Sequence, residues 1–213
     1  MSTFMEIKVK CSVCGKKSEQ SFLTSTNQFG SPDLDFRPAQ MARSTMLMWL
    51  QECPNCGFVA KKLSDKTKIT KEFLLDKQYL YCDNRNFISE LAEMFYRHYL
   101  ISIFNNENEA AFYSLLHAAW ASDDSEDNDN AIYCRKKAII QLSKFVDEEK
   151  KEELMVVCAD LLRRSGQFDL LVTEYQGKNF SSELFNKIIT FQIEKAKEKD
   201  TTCYTINDIF VSF

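Results

Sequence analysis

Glycine and proline are scarce in this chain, with five Gly and three Pro among 213 residues. That leaves little material for tight turns and points to a helix-rich protein. No run approaches the roughly 20 apolar residues needed to cross a bilayer. Met1 to Lys10 holds no apolar core and no small-residue cleavage site, so no signal peptide is expected. No P-loop, GxGxxG, HExxH or GxSxG is present. No catalytic residue is nominated, and the chain is read as a non-enzyme. The expected location is the cytoplasm, without membrane contact. Eight cysteines in that setting are thiols or metal ligands rather than a disulfide framework.

What remains is material for a globular fold. Hydrophobic residues make up 45% and charged residues 27%, and 17 Phe and 8 Tyr can fill a core. The net charge of −4 hides an asymmetry. Residues 1–68 carry 10 Lys and Arg against 6 Asp and Glu; the rest carries 17 against 25. A mildly basic head therefore sits on an acidic body, too small an excess to assert nucleic-acid binding.

The cysteines of the head form two pairs, Cys11-Ser-Val-Cys14-Gly15 and Cys53-Pro-Asn-Cys56-Gly57. Each has the form of a knuckle, a tight turn that aims two thiolates at one metal ion. Glycine after each pair permits the backbone conformation that the turn needs. Two knuckles supply the four sulfurs of a closed tetrahedral site, so Cys11, Cys14, Cys53 and Cys56 are the expected ligands. One structural Zn2+ is the expected ion, with rubredoxin-type iron as the alternative. Lys8, Lys10, Lys16 and Lys17 are placed to offset the charge of four thiolates.

The fold class expected is α+β, mostly α. Residues 1–68 form a small zinc-ribbon domain and residues 69–213 a helical domain of about six helices. In the ribbon, Glu6 to Cys11 alternates as a strand, with Ser21 to Thr26 its partner. Thr45 to Glu52 runs as a strand into the second knuckle and Phe58 to Leu63 leaves it as another. The 38 residues between the knuckles are about twice the usual spacing of roughly 15–20. The excess, residues 27–44, reads as a long inserted loop. Its Asp33, Asp35, Arg37 and Arg43 are read as ion pairs that pin it to the ribbon.

Beyond Lys68 the apolar period becomes helical. Phe87, Leu91, Met94, Phe95 and Tyr99 share one face, as do Phe112, Leu115, Leu116 and Ala119. Further stripes run from Ala131 to Phe145 and from Leu154 to Leu162, followed by Phe168 to Tyr175 and Phe180 to Lys197. The acidic run Ser122 to Asn130 reads as a solvated loop or helix entry, without the ligand spacing of a calcium loop. Cys203 to Ile206 reads as a strand or an ordered extension. Helices with short connections build a bundle or a helical-hairpin array. The segment 154–175 has the look of one tetratricopeptide-type hairpin, with Gly166 at its turn.

The knuckles, the loop Gly30-Ser-Pro-Asp-Leu-Asp-Phe-Arg-Pro38, Arg43-Ser-Thr45, Trp49, Leu116-His-Ala-Ala-Trp120 and Arg163-Arg-Ser-Gly166 together resemble an uncharacterised microbial family. In that family an N-terminal zinc ribbon is joined to tetratricopeptide-like helices. The resemblance implies an architecture and four metal ligands, and no activity. Ser12 stands where the family pattern has proline.

Other candidate residues read as structural. Cys158 lies on an apolar stripe. His98 and His117 fall in separate helices and read as packing residues. Trp49 and Trp120 lie in apolar runs, and Cys82, Cys134 and Cys203 are scattered. The expected function is a zinc-binding protein-interaction module with a helical partner-binding domain. A second reading is nucleic-acid binding through Lys8, Lys10, Lys16, Lys17, Lys61 and Lys62. A third is electron transfer by a four-cysteine iron site.

Overall fold

The computed structural model describes residues 2–145 and 149–211. Strand β1 (Thr3–Lys10) pairs antiparallel with β2 (Lys17–Ser25), from Thr3 opposite Ser25 to Lys10 opposite Lys17. The first knuckle is the turn between them. β2 starts four residues earlier than the alternation of Ser21 to Thr26 indicates. Cover on this hairpin is partial: Val9 is buried and Phe22, opposite Met5, packs on the core, whereas Phe4, Met5 and Ile7 are exposed.

The second knuckle joins β3 (Gln51–Glu52) to β4 (Val59–Ala60), a two-residue pair. The longer strand expected over Thr45 to Glu52 does not form. Residues Arg43–Met48 make a 3-10 turn instead. Thr45 Oγ1 donates to the Ala42 carbonyl at 2.7 Å and accepts from Trp49 Nε1 at 2.9 Å. The i, i+4 spacing of a helical turn puts Met46 and Leu50 on one buried side, which period-2 strand geometry would also allow. The Thr45 hydroxyl, bonding at both ends, favours the turn.

Two four-residue helices, α1 (Lys71–Leu74) and α2 (Lys77–Leu80), are capped by Thr70 and Asp76. Six longer helices follow: α3 (Glu90–Phe104), α4 (Asn108–Asp124), α5 (Asn128–Leu142), α6 (Lys151–Arg164), α7 (Phe168–Tyr175) and α8 (Glu183–Lys197). A short α9 (Asp208–Val211) closes the described chain. The fold class is thus α+β, mostly α. One apolar core joins the knuckles to α1–α5 and α6; a second joins Leu34 of the long loop to α6–α9.

Four helices end in the same way. After α3, the Asn106 N–H bonds the Ile103 carbonyl at 3.0 Å and the Glu107 N–H bonds the Ser102 carbonyl at 2.9 Å. The same pair of bonds closes α4 at Glu126, α6 at Gly166 and α8 at Lys199. This Schellman closure places one residue in the left-handed region, at φ of 61°, 58°, 75° and 56° respectively. Only one of the four is glycine. The chain's low glycine count does not mean few tight helix ends; it means that Asn, Glu and Lys occupy them.

The acidic run after Ala121 is neither a solvated loop nor a helix entry at its start. Asp123 and Asp124 lie in the last turn of α4, where the helix dipole disfavours acid. Arginine compensates. Asp123 binds Arg135 of α5 through both oxygens, at 3.0 and 2.5 Å, and Arg164 of α6 at 3.0 Å. Asp124 binds Arg37 of the loop. Burial alone would raise the Asp123 carboxyl, but Arg135, then Arg164 and Arg37, hold it below the usual range. Asp127 caps α5 and also accepts the Ile88 N–H at 3.1 Å.

The long loop is tied mainly to helices rather than to the ribbon. Asp33 does pair with Arg43 within the loop, at 2.5 Å. Asp35 accepts from Trp120 Nε1 of α4 at 2.6 Å, and burial, then the charge of Asp160, raises it to about 6. The Leu34 N–H bonds the Tyr204 carbonyl at 3.0 Å and the Ile206 N–H bonds the Pro32 carbonyl at 2.9 Å. The tail at Cys203–Ile206 is therefore an ordered extension, bridged to the loop at Asp33 and Thr205.

Removing the shared carboxylate strands two arginines in low dielectric. Asp123→Ala is expected to cost about 3 kcal/mol of folding free energy, against less than about 1 kcal/mol for the exposed pair partner Lys8→Ala. Urea unfolding of the two variants checks this; equal midpoints would contradict it.

Candidate metal centre

The two knuckles bring Cys11, Cys14, Cys53 and Cys56 together, with all four sulfurs within 4.8 Å of one another. Backbone geometry repeats between them. The Gly15 N–H bonds the Cys11 carbonyl at 2.9 Å, and the Gly57 N–H bonds the Cys53 carbonyl at 2.8 Å. Both glycines are left-handed, at φ 74° and 69°. Each pair is also closed from behind: Cys11 N–H to Lys16 carbonyl and Cys53 N–H to Phe58 carbonyl, both at 2.9 Å.

The sulfur spacing tests whether a metal fits. A tetrahedral ion with bonds of about 2.3 Å has sulfur–sulfur edges of about 3.8 Å. Cys11 and Cys56 lie 3.8 Å apart, and Cys14 and Cys53 3.6 Å apart. The donor set therefore fits one ion, and it is compatible with a metal site. Four thiolates fill the shell and leave no position for a reacting water.

Backbone donors tune the thiols. The Lys16 N–H lowers Cys14 to about 7. Burial pushes Cys11 and Cys56 up, although Cys11 also receives the Cys14 and Val13 N–H groups and Cys56 the Phe58 N–H. The residue two positions after the second cysteine thus serves both knuckles alike. A bound cation overrides burial, because a coordinating thiol is deprotonated outright.

The second knuckle is braced by helices. Tyr79 of α2 donates to the Gly57 carbonyl at 2.6 Å. Arg97 of α3 binds Glu52 at 3.0 Å, and Gln51 Oε1 accepts the Leu63 N–H at 2.9 Å. Gln51, Glu52 and Gly57 lie beside the second cysteine pair in sequence, whereas nothing in the spacing marks Tyr79 or Arg97 as supports.

Comparison with protein-family models, with curated proteins and with solved structures found no match for this chain. The architecture that the resemblance implies is nonetheless present in outline: a strand hairpin with a four-cysteine cluster, followed by helices.

The other cysteines stay apart. Cys82 and Cys134 are buried, Cys158 is half-buried on the second core and Cys203 is exposed. His98 and His117 meet across α3 and α4 beside Trp49 and Lys61, around a cavity of about 440 Å³. That juxtaposition has no signal in the sequence.

Cys53→Ser is expected to lower bound metal from one ion per chain to none measurable, with loss of near-UV signal from Trp49. Elemental analysis and circular dichroism check it. Full metal retention in the variant would contradict a four-sulfur site.

Proposed function

We propose that this chain is a non-enzymatic interaction module whose four cysteines hold one structural zinc ion. The observation that carries the zinc reading is the set of four sulfurs within 4.8 Å of one another, two of their separations matching a tetrahedral edge. Electron transfer by iron ranks below this reading, as no flavin or nicotinamide motif accompanies the site. Eight unpaired thiols suit a reducing cytoplasm. No helix among the described residues is long and apolar enough to cross a membrane.

The interaction reading rests on the outer half of the β1–β2 hairpin. Phe4 is 61% exposed, Met5 52% and Ile7 42%. Exposed apolar side chains on a two-stranded ribbon add nothing to its own stability. A protein partner covering them would gain from their burial. Stacked helical hairpins of the tetratricopeptide-like kind, α6 with α7 foremost, would offer a second, concave contact surface. The lysines of the ribbon make nucleic acid the competing partner, with salt-dependent affinity as its mark.

Cross-linking capture from a native lysate, with the zinc-loaded chain as bait, tests this reading. The wild type is expected to enrich a protein that the Phe4→Ser/Met5→Ser double variant enriches at least tenfold less. Equal enrichment by both, or nuclease-sensitive recovery alone, would overturn it.

A further inference from the structure

The cavity beside the two histidines lies where the ribbon meets the helices. Trp49 and Leu50 precede β3, Lys61 follows β4, and the remaining wall comes from α3 and α4. Its volume of about 440 Å³ falls within the range of small-ligand sites. Three features of its lining define a ligand.

The lining is aromatic, and its rings pack on His117. Trp49 meets the His117 ring edge-on at 4.9 Å, and Phe95 meets it at 5.1 Å. Tyr113 stands 6.2 Å from the same imidazole. A planar guest suits such walls.

The second feature is charge. Lys61 is exposed at the mouth and makes no ion pair among the described residues. Glu109, also at the rim, is matched by Lys150 at 3.4 Å. Lys61 is thus the one cation in a lining whose one carboxylate, Glu109, is already engaged. Its field reaches both histidines: burial, then Lys61, holds His98 down to about 4, and burial, then His98 and Lys61, holds His117 to about 3.

The third is a directed acceptor. The Ser114 hydroxyl gives its single proton to the Ala110 carbonyl at 2.7 Å. It must therefore accept from His98 Nδ1, 2.7 Å away. A neutral His98 with its proton on Nδ1 presents a bare lone pair on Nε2. Neither Nε2 of His98 nor the ring nitrogens of His117 make a hydrogen bond among the described residues.

We propose that this cavity binds a small planar aromatic carboxylate. The ring lies against the cluster of Trp49, Tyr113 and His117, the carboxylate meets Lys61, and an N–H or O–H of the guest donates to His98 Nε2. The site uses none of the four cysteines and none of the exposed hairpin residues, although Trp49, Leu50 and Lys61 flank the strands of the second knuckle.

The chain has only two histidines, and both line the cavity. Imidazole NMR signals therefore report on this site alone. The test titrates the zinc-loaded full chain with indole-3-acetate, an aromatic carboxylate with an N–H donor, and with the neutral indole-3-acetamide. The expected result is a saturable shift of both imidazoles by the acid, with a Kd below about 1 mM for a ligand of this size. The amide is expected to bind at least tenfold more weakly. Lys61→Gln should weaken the acid tenfold and leave the amide unchanged, while Lys62→Gln, one residue along and outside the cavity, should change neither. An imidazole titration that moves up in pH when the acid is bound would add a direct sign of the carboxylate's proximity. No saturable shift up to 10-fold above that limit, or equal affinity for acid and amide, would overturn the proposal. So would an unchanged affinity for the acid in a folded Lys61→Gln variant.

Discussion

Bringing four sulfurs onto one point is the constraint from which the rest of this structure follows. The knuckles stand 38 residues apart in the chain, yet their sulfurs lie within 4.8 Å. Everything between must leave the site and return to it. β2 carries the chain out, and the 3-10 turn at Arg43–Met48 brings it back. The loop at the far point of that excursion reaches α4 through Asp35 and Arg37, and the tail through Leu34. The four-cysteine ribbon thereby becomes anchored to α4 and to the C-terminal tail.

Charge completes the anchorage. Asp123, Arg135, Arg164, Arg37 and Asp124 form a connected set where the loop, α4, α5 and α6 meet. Such groups are costly to bury singly and tolerable only as a matched set. They do little to raise total stability over an apolar seam of equal volume. Their effect is on register: a loop displaced by one residue would leave an unpaired charge in the interior. Asp160 with Arg163 makes a second such set, in which Arg163 also donates to the carbonyls of Asp200 and Thr202 and orients the tail.

Sequence patterns made part of this plain. The stripes Phe95–Tyr99, Leu115–Ala119 and Leu154–Leu162 lie in helices because an apolar face must be buried, and that face has a period visible in the chain. The CxxCG pairs are legible for the same kind of reason, as local turns with fixed chemistry. What was hidden depends on tertiary partners. Thr45 makes a turn of a strand-like run through bonds to Ala42 and Trp49. Asp123 sits at the unfavourable end of a helix because three arginines from elsewhere converge there or beside it. Helix ends at Asn106, Glu126 and Lys199 carry no glycine to announce them. The cavity between Trp49, His98 and His117 joins three segments that are silent about one another in sequence.

The central claim concerns the ion. X-ray absorption of the purified chain measures its identity and its ligands in one experiment. A structural site predicts a zinc edge with four sulfur scatterers at about 2.3 Å and no nitrogen or oxygen neighbour. An iron edge would move the protein to electron transfer, and a shell containing nitrogen or oxygen would contradict a site closed by these four cysteines.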